Sequence, residues 1–289
     1  MPLDEALLAA ESLDGVSVVA SDRVHAPIAL AALKAGLHVL CEKPLAAASR
    51  DAWELEAEAR KAARQLMVGH VFLFNAGIEF LGQAVSQKLA GPLYYLNAVR
   101  TNLGPFRYDV NAGWDLASHD IYIFNHLVGE RPVWVSAVGG SFLNKPVEDI
   151  VFITMQYPNG VLGHIHVSWL DPKKVRTLTM VGEAKMITWD EFGTPGPVMI
   201  YDRTVAKEPR YDTFGEFQLL AREGDVVLPR IHLQEPLAAQ ARAFVKRCQT
   251  GEGDGRGSPR QGAEAVDILE AAQRSLREQG RRVEIVYGG

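Results

Sequence analysis

The sequence predicts an α/β fold class: a partial, doubly wound parallel sheet followed by an α+β domain with a large, mostly antiparallel open sheet. Three observations carry this. Up to about residue 75, short continuous apolar runs alternate with alanine-rich helical stretches, as in a parallel sheet covered on both faces. After residue 76 the runs take period two, with turn residues between them, as antiparallel strands do. A length of 289 residues also reaches the size, about 250 to 300 residues, at which one core tends to divide into two.

In order along the chain, Gly15 to Ala20 is β-branched and continuous and reads as a buried strand. Ala26 to Ala35 is helical, with Gly36 in place for a left-handed cap. Leu37 to Cys41 is a second strand, ended by Pro44. Ser49 is the expected N-cap of a helix reaching about Arg64, and Leu66 to His70 is a third strand. Strand patterns follow at 93–100, 133–138, 150–157, 161–169 and 175–181, with Pro158-Asn159-Gly160 as a hairpin turn. A helix is expected from about Asp115 to Val128. Two more close the chain, near 235–250 and 259–279, joined by the Gly/Asp-rich loop 251–257.

Composition excludes several classes. A net charge of -5 and a pI near 5.9 give no positive field to draw nucleic acid. No apolar run approaches the roughly 20 residues of a membrane span, and the start Met1-Pro2-Leu3-Asp4-Glu5 lacks a basic leader, so no membrane role and a cytoplasmic location are expected. The two cysteines, Cys41 and Cys248, lie far apart and are expected as free thiols.

Two constellations can carry chemistry. Cys41-Glu42-Lys43-Pro44 sets a lysine at the carboxyl end of a parallel strand, the edge where open α/β sheets bind ligands. Shielded from water, such an amine has its pKa lowered and can remove a hydroxyl proton while a carbon-bound hydride leaves for a cofactor. The plain alternative is a solvent-facing lysine before a turn. In Gly113-Trp114-Asp115-Leu116-Ala117-Ser118-His119-Asp120, Asp115 and His119 are four apart and share a helix face, so together they can bind a diol and relay a proton. Here the alternative is an acidic residue at a helix N-terminus and a core histidine.

The run VSVVASDRVHAPIALAALKAGLHVLCEKPLAAASRDAWELEAEARKAARQLMVGHVFLFN, followed by GWDLASHDIYIFNHLVG, resembles the Gfo/Idh/MocA oxidoreductases. The resemblance implies a Rossmann-like dinucleotide-binding domain over residues 1–75 and an α+β substrate-binding and oligomerisation domain over 76–289. It implies NAD or NADP as cofactor, and hydride transfer at a hydroxyl-bearing carbon of a sugar, polyol or nucleotide sugar. It assigns Lys43, Asp115 and His119 as the catalytic set. Ser21, His25, Glu42 and Lys43 fall on the cofactor side. Arg107, Tyr108 and Asn111, with Asp115 and His119, are the expected substrate contacts. The phrases GHVFLFN, DVNAGWDLASHD and SWLDPKKVR look most like members acting on nucleotide-linked amino sugars or their uronic acids.

The chain also departs from that pattern. Its opening, Leu3 to Leu8, resembles the end of a segment just ahead of the family's fourth strand, so the first βαβαβ part with its G-x-G-x-x-G/A turn is expected to be missing. Dinucleotide affinity should then fall, and the first strand should show an exposed edge. Ser21-Asp22-Arg23 stands where members commonly have Thr-Pro, and Asp22 places negative charge beside the expected cofactor. A catalytically inactive relative, working as an oligomeric ligand-binding or scaffold protein, is the alternative these departures support.

His164 and His166 are two apart on a strand and share a face, but with no third ligand nearby no metal is assigned. The Val/Ile/Trp alternation over 161–169 leaves an apolar face. The resemblance places a homodimer or homotetramer interface on the open face of this sheet.

Overall fold

A computed structural model describes residues 13–143, 146–202, 204–205, 221–222 and 224–289. The segment Leu3 to Leu8 lies outside the described residues. The chain opens with β1 (Gly15–Val18), α1 (Asp22–Lys34), β2 (His38–Cys41), α2 (Ser49–Lys61) and β3 (Leu66–Val68), and the three strands pair in parallel in the order β1-β2-β3. Among the described residues β1 is an edge strand paired only with β2, and Val19 just beyond it is exposed.

Helix α1 begins four residues before the expected Ala26. Ser21 takes the extended backbone of an N-cap and Asp22 supplies the favoured acid in the first turn, so Pro27 is carried inside the helix. Ser49 does not cap α2 as expected. The N-cap is Ala48, and the Ser49 hydroxyl donates to Asp267 while its N–H donates to Glu270 Oε1 at 2.8 Å. Both acids belong to a C-terminal helix, so a tertiary partner replaces the local cap.

A 3₁₀ turn (Val71–Phe74) leads into α3 (Ala76–Ser86), β4 (Leu93–Leu103) and a π-helical turn (Gly113–Ala117) that runs on as α4 (Ser118–Val128). Then come β5 (Trp134–Gly140), β6 (Ile150–Gln156), β7 (Leu162–Ser168), β8 (Leu170–Gly182), β9 (Met186–Asp190) and β10 (Val198–Tyr201). The short strands β11 (Thr204–Val205), β12 (Ala221–Arg222) and β13 (Val226–Val227) precede α5 (Pro236–Thr250), α6 (Pro259–Arg277) and β14 (Val283–Glu284). The large sheet has nine strands in the order β13-β10-β9-β8-β4-β7-β6-β5-β14. It is antiparallel except for β4 against β7, where Ala98 faces Ile165.

On the inner face of this sheet Leu96, Ala98, Ile153, Ile165, Val167 and Trp169 are buried, under α3 and α4. Gly163 lets α4 approach closely, because a Cβ there would stand 2.9 Å from Phe124 and 3.0 Å from Met155. The Val/Ile/Trp face of 161–169 is therefore covered by the chain's own helices, contrary to expectation. The open face carries the alternate residues, among them Leu162, Phe152 and Tyr95, with His164 against Thr154 and His166 stacked on Phe152. Helix α6 joins the two cores: Ala263 and Val266 pack with the small sheet, Ile268 and Ala272 with the large one.

Candidate active site

Lys43 follows β2 at the carboxyl edge of the parallel sheet, and its turn is tied down by His25. The His25 ring is buried, with Nδ1 2.8 Å from the Pro44 carbonyl oxygen and Nε2 3.0 Å from that of Ala20. This binds the end of β1 to the turn after β2. Both His25 nitrogens are thus taken up by the chain, whereas the sequence suggested a cofactor contact.

From there the Lys43 side chain, 16% exposed, crosses to the π-helical turn. Its Nζ donates to the Asp115 carbonyl oxygen at 2.8 Å and lies 3.6 Å from Asp115 Oδ1. The opposite carboxylate oxygen, Oδ2, accepts from Trp169 Nε1 at 3.1 Å. Asn111 shapes this turn: its Oδ1 accepts from the Trp114 N–H at 3.1 Å, and its Nδ2 donates to Glu148 Oε2 at 2.7 Å and Gln273 Oε1 at 2.9 Å. With both amide hydrogens committed to protein, Asn111 positions Asp115 and has none left to offer a substrate. Wide π turns recur at functional sites because they re-aim side chains out of the helical register.

Arg107 arrives from the loop after β4 and meets three acids. It lies 2.8 Å from Asp109, 3.3 Å from Asp22 and 3.7 Å from Asp115. Asp22 is therefore ion-paired as well as buried. Tyr108 beside it is exposed and Ser21 makes no cap bond with its side chain, so both are open to a ligand. The Glu42 carboxylate lies across Gly69, where a Cβ would come within 3.0 Å of it.

One turn further on, His119 Nδ1 is 3.0 Å from the Tyr122 hydroxyl, which also accepts from the Phe72 N–H at 3.2 Å. The Phe72 ring meets His119 edge-on, and His70 stacks on Tyr122 with centroids 4.0 Å apart. Beneath them Arg100, on the inner face of β4, makes a two-pronged bond to Asp120 at 2.9 and 2.8 Å and lies over the Phe72 ring. Its cross-strand partner Arg176 pairs with Glu191 at 2.7 Å.

This environment favours neutral bases. Burial pushes the Lys43 ammonium below its ordinary range, opposed by Asp115, Asp22 and Glu42. Burial, then the charges of Lys43, Arg100 and Arg176, hold His119 well below the usual imidazole range. His70 is pushed down to about 3 by burial and then by Lys43. An amine that can lose its proton beside an anchored carboxylate and a neutral imidazole can take a proton from an alcohol and return it to a ketone.

Lys43, Asp115 and Arg107 thus meet, brought from the turn after β2, the π-helical turn and the loop after β4, with His119 one turn on and within reach of the Lys43 charge. Tyr122, Trp169, His70 and the Arg100–Asp120 pair were not anticipated. Tyr122 is three residues from His119 on the same helix face, and Arg100 falls at an inward position of its strand, so both signals were present. A cleft of about 710 Å³ lies on the α6 side, lined by Asp22, Arg23, Trp114 and Arg274 among others. None of Lys43, Asp115 and His119 lines it, so donor and acceptor geometry, not cavity size, locates the chemistry.

The comparisons with known proteins agree with this architecture. The family model described as "Oxidoreductase family, NAD-binding Rossmann fold" matches residues 3–70, and that described as "GFO/IDH/MocA C-terminal domain" matches residues 90–188. The chain belongs to the Gfo/Idh/MocA oxidoreductase family. It is 32% identical over 170 residues to the UDP-N-acetylglucosamine 3-dehydrogenase of Acidithiobacillus ferrooxidans, covering 58% of this chain and 51% of that protein. It is 24% identical over 172 residues to the 2,7-anhydro-N-acetylneuraminate hydratase of Escherichia coli, covering 55% and 46%. This Gfo/Idh/MocA chain therefore spans about half the length of the curated relatives it matches. The solved structure of the Acidithiobacillus ferrooxidans dehydrogenase shares the fold, with a TM-score of 0.80 at 23% identity over 96% of this chain and 83% of that one.

Proposed function

We propose that this chain acts in NAD(P)-dependent hydride transfer at a hydroxyl-bearing carbon of a sugar, polyol or nucleotide sugar. One observation carries the reading: Lys43 Nζ, from the parallel sheet, is held on the Asp115 carbonyl and carboxylate, from the α+β part, one helical turn from His119. Relatives bearing dehydrogenase names support it. One relative is a hydratase by name, so the reaction has to be argued from the site rather than from the family.

The residues present fit the nicotinamide end of a dinucleotide. Ser21, with its uncommitted hydroxyl, stands at the carboxyl edge of β1, and Glu42 and Lys43 at that of β2. When bound there, NAD or NADP supplies the hydride acceptor. In the oxidation direction Lys43 Nζ takes the hydroxyl proton, Asp115 holds the amine in place, and His119 binds the same oxygen. Arg107 and Tyr108 are set to contact the rest of the substrate, while His25 and Asn111 position the Lys43 and Asp115 turns.

We place the domain division at 1–75 and 76–289, with α6 packed back on both cores. A homodimer or homotetramer through the open face of the large sheet is part of this proposal, and the exposed Tyr95, Phe152 and Leu162 on that face support it. Among the described residues no helix is long and apolar enough to cross a membrane. Cys41 and Cys248 are unpaired, which supports a cytoplasmic setting. The assembled acid–base groups, and the ion pair that Asp22 makes with Arg107, support the active reading over the catalytically inactive alternative.

The test is Lys43→Met, assayed with NAD+ and NADP+ against UDP-sugars and inositols. Turnover should fall by about 10² to 10⁴ with thermal unfolding unchanged. A fully active variant would remove the assignment.

A further inference from the structure

We infer that Tyr122 fixes His119 in the tautomer with its proton on Nε2, so that the histidine meets the substrate oxygen as a hydrogen-bond donor and leaves proton removal to Lys43. This rests on the dehydrogenase reading and assigns Tyr122 a positioning role within it.

Tyr122 is 3% exposed, and its hydroxyl has two polar neighbours, the Phe72 N–H at 3.2 Å and His119 Nδ1 at 3.0 Å. A backbone N–H can only donate, so it occupies a lone pair of the phenol oxygen. The phenolic hydrogen then needs an acceptor, and His119 Nδ1 is the one its geometry offers among the described residues. A proton on Nδ1 would aim two donors at one oxygen and leave the buried phenolic hydrogen without an acceptor, which buried polar groups rarely tolerate. The tautomer follows from this network, as such assignments must when hydrogens are placed by their partners.

The charge balance around the ring agrees. Burial first, then the charges of Lys43 from the β2 edge, Arg100 from β4 and Arg176 from β8, disfavour a second proton on His119, while the neighbouring His70 is itself uncharged near neutral pH. The ring is therefore neutral, and its one proton is on Nε2. That nitrogen has no hydrogen-bond partner among the described residues and is not one of their buried unpartnered atoms, so it is free for a ligand. A neutral ring in this form cannot accept a proton at Nε2. The relay role open to His119 from sequence is thereby narrowed to donation: the substrate oxygen accepts from Nε2–H while its own proton passes to Lys43 Nζ, the C–H pair leaves as hydride for the nicotinamide, and C=O forms.

Two-bond ¹H–¹⁵N spectra of the ¹⁵N-histidine-labelled chain test this directly, with His119→Gln identifying the signals. The wild-type spectrum should show the Nε2–H pattern for His119 near neutral pH. Tyr122→Phe keeps the stacking on His70 and removes the donor to Nδ1, so the pattern should become mixed and kcat should fall about tenfold, the loss of ~1.4 kcal/mol. An Nδ1–H pattern in the wild type overturns the inference, whatever the variant's folding. An unchanged pattern in a folded Tyr122→Phe also overturns it. A chain with no hydride transfer but the Nε2–H pattern refutes the dehydrogenase reading and leaves the tautomer standing.

Discussion

Replacing Asp115 by asparagine should make Lys43 deprotonate more easily. Burial lowers the Lys43 pKa, and Asp115 is the first of the charges that oppose it. The carboxylate oxygen lies 3.6 Å from Nζ. At an effective dielectric of about 20, Coulomb's law gives ~5 kcal/mol for that pair, or a ceiling of roughly 3 pH units. The hydrogen bond from Lys43 goes to the backbone carbonyl of Asp115 and survives the substitution, so the amine stays in place while its counter-charge is lost. Arg107, 3.7 Å from the same carboxylate oxygen, loses that partner as well, leaving only Asp22 and Glu42 to oppose the fall in the Lys43 pKa. The expected shift of the Lys43 midpoint is downward, by less than that ceiling, since side chains partly open to water feel less than the full interaction. The assay needs no substrate. The rate of Lys43 modification by a small amine-reactive reagent is followed against pH by peptide mass spectrometry, because only the free amine reacts. A midpoint that stays put or rises in Asp115→Asn would show that Asp115 does not set the lysine's protonation.

Acid should destabilise the chain through its buried histidines. His70 is held near 3, below its unfolded value of 6.5, so below pH 6.5 the unfolded state binds a proton that the folded state refuses. The stability His70 contributes is therefore full above pH 6.5 and lost as pH falls toward 3, at a limiting slope of about 1.4 kcal/mol per pH unit, and His119 adds to it in the same direction. Urea unfolding at a series of pH values should show this limb, and His70→Phe should flatten it; an equally steep limb in the variant would contradict the assignment. Asp120→Asn leaves Arg100, 2% exposed, without its counter-charge and should cost about 3 to 5 kcal/mol in chemical denaturation. Gly163→Ala pushes a methyl group against Phe124 and Met155 and should lower stability by about 1 to 3 kcal/mol; a neutral result would mean α4 can shift without penalty.

The fold class was legible because its periodicities are strong. The parallel strands are continuous apolar runs and the antiparallel ones alternate, so element types survive where boundaries move by a few residues. What local pattern could not show is tertiary substitution. Ser49 looked like a cap, yet its hydroxyl is taken by Asp267 and its amide by Glu270, more than 200 residues away in sequence. The strands β9 and β10 were missed although Ile187, Trp189, Val198 and Ile200 are buried in alternation. Which face of 161–169 meets water was also beyond a single strand's pattern, because that depends on where α3 and α4 pack. In the site, Lys43, Asp115 and His119 announce themselves by motif. Trp169 does not, since its indole N–H reaches Asp115 only through the crossing of β7 into β8.

Asp22 shows why charge read from sequence alone can mislead about function. At the start of α1, beside the expected nicotinamide, an aspartate looks like a repulsive charge set against an anionic cofactor. The structure sets a shared counter-charge beside it from a distant loop: Arg107 lies 3.3 Å from Asp22 while also pairing with Asp109 and Asp115, and Asp22 Oδ2 stays without a hydrogen-bond partner among the described residues. One guanidinium thus links the helix after β1 to the π-helical turn that carries Asp115, and its strongest partner, Asp109, makes it hold its proton more tightly than a free arginine would. The charge that seemed to argue against a cofactor is in this arrangement an anchor for Arg107. Removing it should loosen Arg107 from the cofactor side before it makes room for any additional negative charge.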